Sequence, residues 1–92
     1  MVIKRKALNA ISKTAAWVES KNTTGSGQRW ADKVYDKIVE AAIENTLFAI
    51  CRNESLARFG YRCFHINDWV VAHKVIRNTF IVYRFIHGSR LH

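Results

Sequence analysis

Proline is absent from this chain of 92 residues, glycine occurs 4 times and cysteine twice, and acidic residues are scarce, with 7 Asp+Glu against 15 Lys+Arg. Internal repeats and low-complexity segments are missing as well, so nothing reads as a linker. The length supports one domain, residues 1–92, with a core large enough to fold alone. Long hydrophobic runs are also lacking. Lys74, Arg77 and Arg84 interrupt the best candidate, so no stretch reaches the roughly 18 apolar residues of a membrane span. Behind Met1-Val2-Ile3-Lys4-Arg5-Lys6 there is no apolar stretch long enough for a signal peptide, and no leader is expected. Cys51 and Cys63 show no repeated spacing. They indicate no disulfide framework and fit a cytoplasmic protein. The Asn-x-Ser/Thr matches at Asn22 and Asn53 then carry little weight.

What the chain does have is apolar residues and positive charge. Hydrophobic residues make up 49%, too much for a disordered basic tail, and the net charge is +8 with a pI of about 10.0. The excess is uneven: residues 1–50 carry +3, whereas residues 51–92 carry +5 and all 4 histidines. The acids Glu19, Asp32, Asp36, Glu40 and Glu44 lie in the first half, several at i,i+4 spacing on one helix face. Only Glu54 and Asp68 follow. A basic half beside a mixed-charge half suggests a surface for an anionic partner, nucleic acid or an acidic protein segment; an ordinary solvated basic protein is the plainer alternative.

The pattern predicts an α+β fold. Val2 to Arg5 reads as a short edge strand. Leu8, Ile11, Ala15 and Val18, with Trp17 alongside, form an amphipathic stripe that predicts a helix from about Ala7 to Lys21. Asn22-Thr23-Thr24-Gly25-Ser26-Gly27 is a turn, with Ser26 or Thr24 as candidate N-cap. A second helix is predicted from Gly27 to Phe48, striped by Trp30, Val34, Ile38, Ala41 and Ala42 and widened by Tyr35, Val39 and Ile43. The two helices should form an αα-hairpin. Ile50 to Gly60 has no period and reads as a loop. Tyr61–Ile66, Trp69–Arg77 and Thr79–His87 then alternate as strands, parted by Asn67-Asp68 and Asn78-Thr79. The expected order is β-α-α-β-β-β, two layers, with a three-stranded antiparallel meander.

If those pairs are the hairpin loops, Ile66 opposes Trp69 and Arg77 opposes Phe80, and the alternation of side chains sorts the sheet. Phe64, Ile66, Trp69, Val71, Val75, Phe80, Val82 and Ile86 face the helices, interrupted by Arg62, His73 and Arg84. The open face carries Tyr61, Cys63, His65, Val70, Ala72, Lys74, Ile76, Ile81, Tyr83, Phe85 and His87. On it Lys74 suits a phosphate and Tyr61 and Tyr83 suit base stacking, although tyrosines on strands are also ordinary half-buried β-formers. Cys63, His65 and His87 share that face without C-x-x-C or H-x-x-x-H spacing, so no metal and no cofactor is expected. No orienting acid makes a Cys/His nucleophile pair. The Arg62, His73 and Arg84 row needs acids such as Asp36 or Glu40, or heads that reach solvent. Trp17, Trp30 and Trp69 read as core or interface anchors.

The order strand–helix–helix–meander, the opening Lys6-Ala7-Leu8 leading into Trp17-Val18-Glu19, and the close Ile81-Val82-Tyr83-Arg84-Phe85-Ile86-His87-Gly88-Ser89-Arg90 resemble the ParE/RelE superfamily of bacterial type II toxins across essentially the whole chain. The resemblance implies a toxin neutralised by a cognate antitoxin, with no membrane partner and no small-molecule substrate. RelE-like members cut mRNA in the ribosomal A site with basic residues of the sheet and a C-terminal tyrosine. ParE-like members inhibit DNA gyrase. Of the RelE pattern, the arginine after the glycine turn survives as Arg90. The other expected basic positions fall near Val70, Tyr61 and Cys63, and no tyrosine follows Arg90 before His92. The closing His-Gly-x-Arg is the more ParE-like form. The resemblance therefore implies a plasmid-stabilisation type of toxin acting through gyrase, with an mRNA interferase or a non-toxic nucleic-acid-binding domain as alternatives. Arg62, His65, Lys74, Tyr83, His87 and Arg90 are the expected target contacts. An interferase would use Arg90, His87 and Lys74, the arginine stabilising the scissile phosphate and the histidine moving protons.

Overall fold

The computed structural model describes residues 1–44 and 47–91. The strand β1 (Val2–Ile3) leads into α1 (Arg5–Lys21) and α2 (Ser26–Glu44), then a short α3 (Glu54–Arg58), and the strands β2 (Arg62–Ile66), β3 (Trp69–Ile76) and β4 (Thr79–His87) close the sheet. The strand order is β1-β4-β3-β2, with β1 parallel to β4 through Val2↔Ile81 and Ile3↔Val82. The expected α+β architecture and element order are therefore present.

The helical hairpin covers one face of the sheet. From α1, Ala7 and Ile11 are fully buried; from α2, Val34, Ile38 and Ala41 pack against Val71, Phe80, Val82 and Phe85. Each fully buried Ile or Val there contributes roughly 1.5–3 kcal/mol of transfer free energy. The face of α1 is rotated from the expected stripe. Leu8 and Trp17 face solvent, Trp17 at 61% exposure, because the small Ala7, Ala10 and Ala15 let the helix lie close to its neighbours. Val39 and Ile43 likewise stay outside the core. Of the three tryptophans, Trp30 and Trp69 join the interior, clustered with Phe85 at centroid distances of 6.1, 6.0 and 4.5 Å.

Neither Ser26 nor Thr24 caps α2. Glu19 of α1 does, its carboxylate accepting from the Gly25 and Gly27 N–H groups at 2.7 and 2.9 Å. Those two bonds hold the Glu19 carboxyl below its ordinary pKa, and Arg29 nearby adds to the effect. Gly27 also marks a close approach of the helices, since an added Cβ would collide with the Ala15 carbonyl oxygen and lie only 3.1 Å from the Ala15 carbonyl carbon and the Glu19 Cβ. The expected extension of α2 to Phe48 is partly outside the described residues, at positions 45 and 46. Leu47 and Phe48 are not helical.

The first hairpin has the expected register, from Ile66↔Trp69 to Arg62↔His73. The second does not. Its loop is Arg77-Asn78, both left-handed (φ 52° and 65°), so Ile76 rather than Arg77 closes the ladder, against Thr79. Two consecutive left-handed residues match the twist of the flanking strands, and β-branched Thr79 goes to the strand. Further along, His73↔Val82 gives way to Ala72↔Arg84, leaving Tyr83 as an additional residue in a β-bulge. The bulge exchanges the faces of everything after it. Phe85 enters the helix-facing core and Ile86 packs on the opposite side, the reverse of a strict period of two. Arg84 moves with Ile86 and His87 with Phe85.

The segment expected to be a featureless loop is organised. Asn53 caps α3 by accepting from Leu56 N–H at 3.2 Å. Ile50 bridges Arg62, and backbone bonds Cys51 N–H to Tyr61 O (3.0 Å) and Cys63 N–H to Ala49 O (3.1 Å) lay the chain beside β2. Cys51 and Cys63 form a disulfide, Cα atoms 4.9 Å apart, against the expectation of two unlinked thiols. Cys51, Leu56 and Ala72 make a second small core with Tyr61, Cys63, Ile86 and Leu91. The face away from the helices is thus partly covered, while its Lys74 end stays open.

Candidate target-binding surface

Two groups of the expected site residues stand at opposite ends of the sheet. At the open end, Tyr61 immediately before β2 and Tyr83 at the bulge of β4 approach to 5.1 Å between ring centroids. Lys74 of β3 places its ammonium 5.2 Å from the Tyr61 centroid and 5.8 Å from that of Tyr83. A cation over each ring contributes about 0.5–1 kcal/mol at an exposed site. Phe59 extends the row, stacked on Tyr61 at 5.7 Å, and Lys4 sits 5.8 Å from the Tyr83 centroid. The bulge brings Arg84 onto the same face, beside Ala72. Among the described residues no carboxylate pairs with Lys4, Lys74 or Arg84; the ion pairs are Lys37–Glu40 and Arg58–Glu54.

At the other end, β4 runs into a 3-10 turn, Gly88–Arg90. Gly88 donates its N–H to Asp68 O at 2.7 Å. A Cβ there would sit 3.1 Å from that oxygen, so glycine lets the two turns meet. His87 rests edge-on against Trp69 at 5.1 Å. Its Nδ1 accepts from Ser89 N–H at 3.2 Å and lies 2.8 Å from the Ser89 hydroxyl. Neutral His87 therefore carries its proton on Nε2 and offers it as a donor. Arg90 is exposed. An imidazole N–H and an exposed guanidinium on one short turn suit an anionic group on a partner.

Lys74 does not join them. It pairs with Ile81, whereas His87 pairs with Trp69, five residues before Lys74 on β3; that is about 17 Å at the usual strand rise, because the bulged Tyr83 adds no ladder step, and the two lie on opposite faces of the sheet. His65 stands apart from both, exposed at the rim of an open hollow of about 730 Å³ shared with Cys51, Leu56, Val70, Gly88 and Leu91. Arg62 is on the helix-facing side. Among the described residues no acid pairs with it there; its guanidinium donates to the Phe48 carbonyl at 2.6 Å. Its strand neighbour His73 is fully buried between Phe48, Phe64 and Phe80, with both ring nitrogens unpaired. Burial first, and the Arg62 charge second, lower its pKa to about 4. The anticipated row of Arg62, His73 and Arg84 is therefore broken, since the bulge sends Arg84 to the other face.

Phe59 and Lys4 were not among the expected contacts. Phe59-Gly60-Tyr61 was the available signal, two rings around a glycine that adopts φ 77°. Among the described residues no three His, Cys, Asp or Glu side chains gather to hold a metal, and no helix is long and apolar enough to cross a membrane.

A comparison with curated proteins finds no match to the chain. A family model does match, along residues 1–92, and its description is the ParE toxin of the type II toxin–antitoxin system, parDE. The β-α-α-β-β-β order with a sheet of 4 strands agrees with it. With the whole chain matched and the fold in agreement, this protein belongs to the ParE toxin family of type II toxin–antitoxin systems, whose members have an antitoxin as partner.

Proposed function

We propose that the chain is a cytoplasmic toxin of the plasmid-stabilisation type that arrests growth by binding DNA gyrase, and that its cognate antitoxin relieves the arrest. The whole length acts as one domain. Target contact is led by Arg90 and His87 at the C-terminal turn, with Lys74 and Tyr83 as a second contact group at the far end of the sheet and His65 and Arg62 as outlying contacts. The observation that carries binding over cleavage is the spacing. Lys74 and His87 lie about 17 Å apart along the ladder and on opposite faces of the sheet, too far to act on one scissile phosphate. A general acid or base must come within hydrogen-bond reach of its proton.

Purified chain added to gyrase should inhibit supercoiling of relaxed plasmid. The double substitution Arg90→Ala, His87→Ala should weaken inhibition roughly tenfold, the loss of one charge-assisted contact. Transcripts in cells expressing the chain should remain intact. Cleavage within translated mRNA, abolished by the same double substitution, would instead establish the interferase.

A further inference from the structure

The row Phe59–Tyr61–Tyr83 has features that gyrase binding through the C-terminal turn does not use. Phe59 is 64% exposed. It ends a stack of three rings spaced 5.7 and 5.1 Å apart, and its position is fixed from behind. Its N–H donates to Leu56 O and that of Gly60 to Ala57 O, while the Cys51–Cys63 disulfide ties the segment to β2. Lys4 stands over the Tyr83 end of the stack and Lys74 spans Tyr61 and Tyr83. Arg84 follows one pair further along the same face. The acids of α2 lie on the opposite layer. The outer face of Phe59 is thus an unfilled stacking position at the end of a line of cations.

From this arrangement we propose that the open end of the sheet binds single-stranded nucleic acid. A base stacks on Phe59, and the backbone phosphates run past Lys74 toward Lys4 and Arg84. Exposed aromatic rings interleaved with unpaired cations are what single strands require, because every base has a π-face and every linkage a charge. A duplex cannot use the site, since its bases are already stacked. An acidic peptide would use the cations but gain little from a bare phenyl ring. The site shares Lys74 and Tyr83 with the second group of gyrase contacts but not the Arg90 and His87 turn that leads them, so its failure would leave the toxin reading intact.

The test is fluorescence anisotropy of end-labelled 12-mers, single-stranded RNA, single-stranded DNA and duplex DNA, titrated with the full chain at several salt concentrations. Single strands should bind at least tenfold more tightly than duplex. A preference for RNA or for DNA identifies the strand chemistry, and either supports the site. Phe59→Ala should weaken single-strand binding roughly tenfold, within the range known for loss of one stacked base. Phe59→Trp should restore it, which loss of folding would not permit. Lys74→Ala should weaken binding and lower the slope of log affinity against log salt by about 0.7. Lys33→Ala, removing the same charge from the helical layer, should leave that slope nearly unchanged. Equal affinity for duplex and single strand, or no effect of Phe59→Ala, would reduce the binding to the general attraction of a chain of net charge +8 and overturn the proposal. Tighter binding of a polyglutamate peptide than of either single strand, lost in Phe59→Ala, would also overturn it.

Discussion

Acidification from pH 7 to pH 4 should remove about 3 kcal/mol of folding stability through His73 alone, at 1.36 kcal/mol per unit of pKa shift. Unfolded, the imidazole titrates near its ordinary value of 6.5; folded, it stays neutral until about pH 4. Between those values the unfolded chain holds a proton that the folded chain lacks. The contribution is therefore complete above pH 6.5 and drains away as pH falls. The physical source is the site itself. Three phenylalanine rings surround His73, and the nearby Arg62 charge repels a second positive charge. Urea unfolding at constant ionic strength across this range measures the loss. His73→Leu should flatten the profile between pH 6.5 and 4 and stabilise the protein by about 1 kcal/mol at pH 7, because two unpaired buried nitrogens disappear. Glu19 adds a separate decline at lower pH, since its folded carboxyl is held below the ordinary range by the Gly25 and Gly27 N–H groups. Glu19→Gln should remove that part only. A His73→Leu profile as steep as that of the parent would show that the acid sensitivity lies elsewhere.

Reduction of Cys51–Cys63 should cost about 3 kcal/mol, the loop-closure value for a separation of this size. The bond spans 12 positions and fastens α3 onto the smaller core of Cys51, Leu56 and Ala72. The main core between the helices and the sheet does not include it. Opening should therefore begin at residues 49–60, with hydrogen exchange at Leu56, Phe59 and Gly60 accelerating before that of Ile38 or Val71. Cys51→Ser combined with Cys63→Ser should reproduce the effect in oxidising buffer. Unchanged unfolding midpoints with and without reductant would contradict the stabilising role. In a cytoplasm that keeps thiols reduced, the helical layer and sheet must then hold the fold by themselves while the Phe59 segment loosens.

The elements that sequence periodicity revealed are those whose side chains repeat without interruption. Val34, Ile38 and Ala41 mark the buried face of α2, and the alternation through Phe64, Ile66, Trp69 and Val71 fixes the first hairpin together with its register. Three features lay beyond that signal. The bulge at Tyr83 breaks the period of two without any glycine or proline to announce it, so strict alternation places Arg84, Phe85, Ile86 and His87 on the wrong faces. The Arg77-Asn78 turn places an arginine in a left-handed conformation, which residue preference disfavours and the twist of the hairpin requires. The Cys51–Cys63 pairing depends on a chain path beside β2 that no local pattern encodes. Trp17 illustrates a fourth reason. A large apolar side chain at helical spacing reads as a core or interface anchor, and the alanines of α1 make the close contact and keep Trp17 out of the core. At the candidate surface, Lys74 and Tyr83 were rightly brought together, and the His-Gly-x-Arg close was legible as a motif. The distance between the two groups was not, because it depends on strand register.

Controlled expression of this chain alone in a bacterial host, followed by co-expression with candidate antitoxins from any small reading frame found beside its gene, tests the account most directly. Colony formation should fall by orders of magnitude on induction and recover when the neighbouring product is supplied. Normal growth on verified expression of the folded chain, with or without that neighbour, would contradict its action as a toxin.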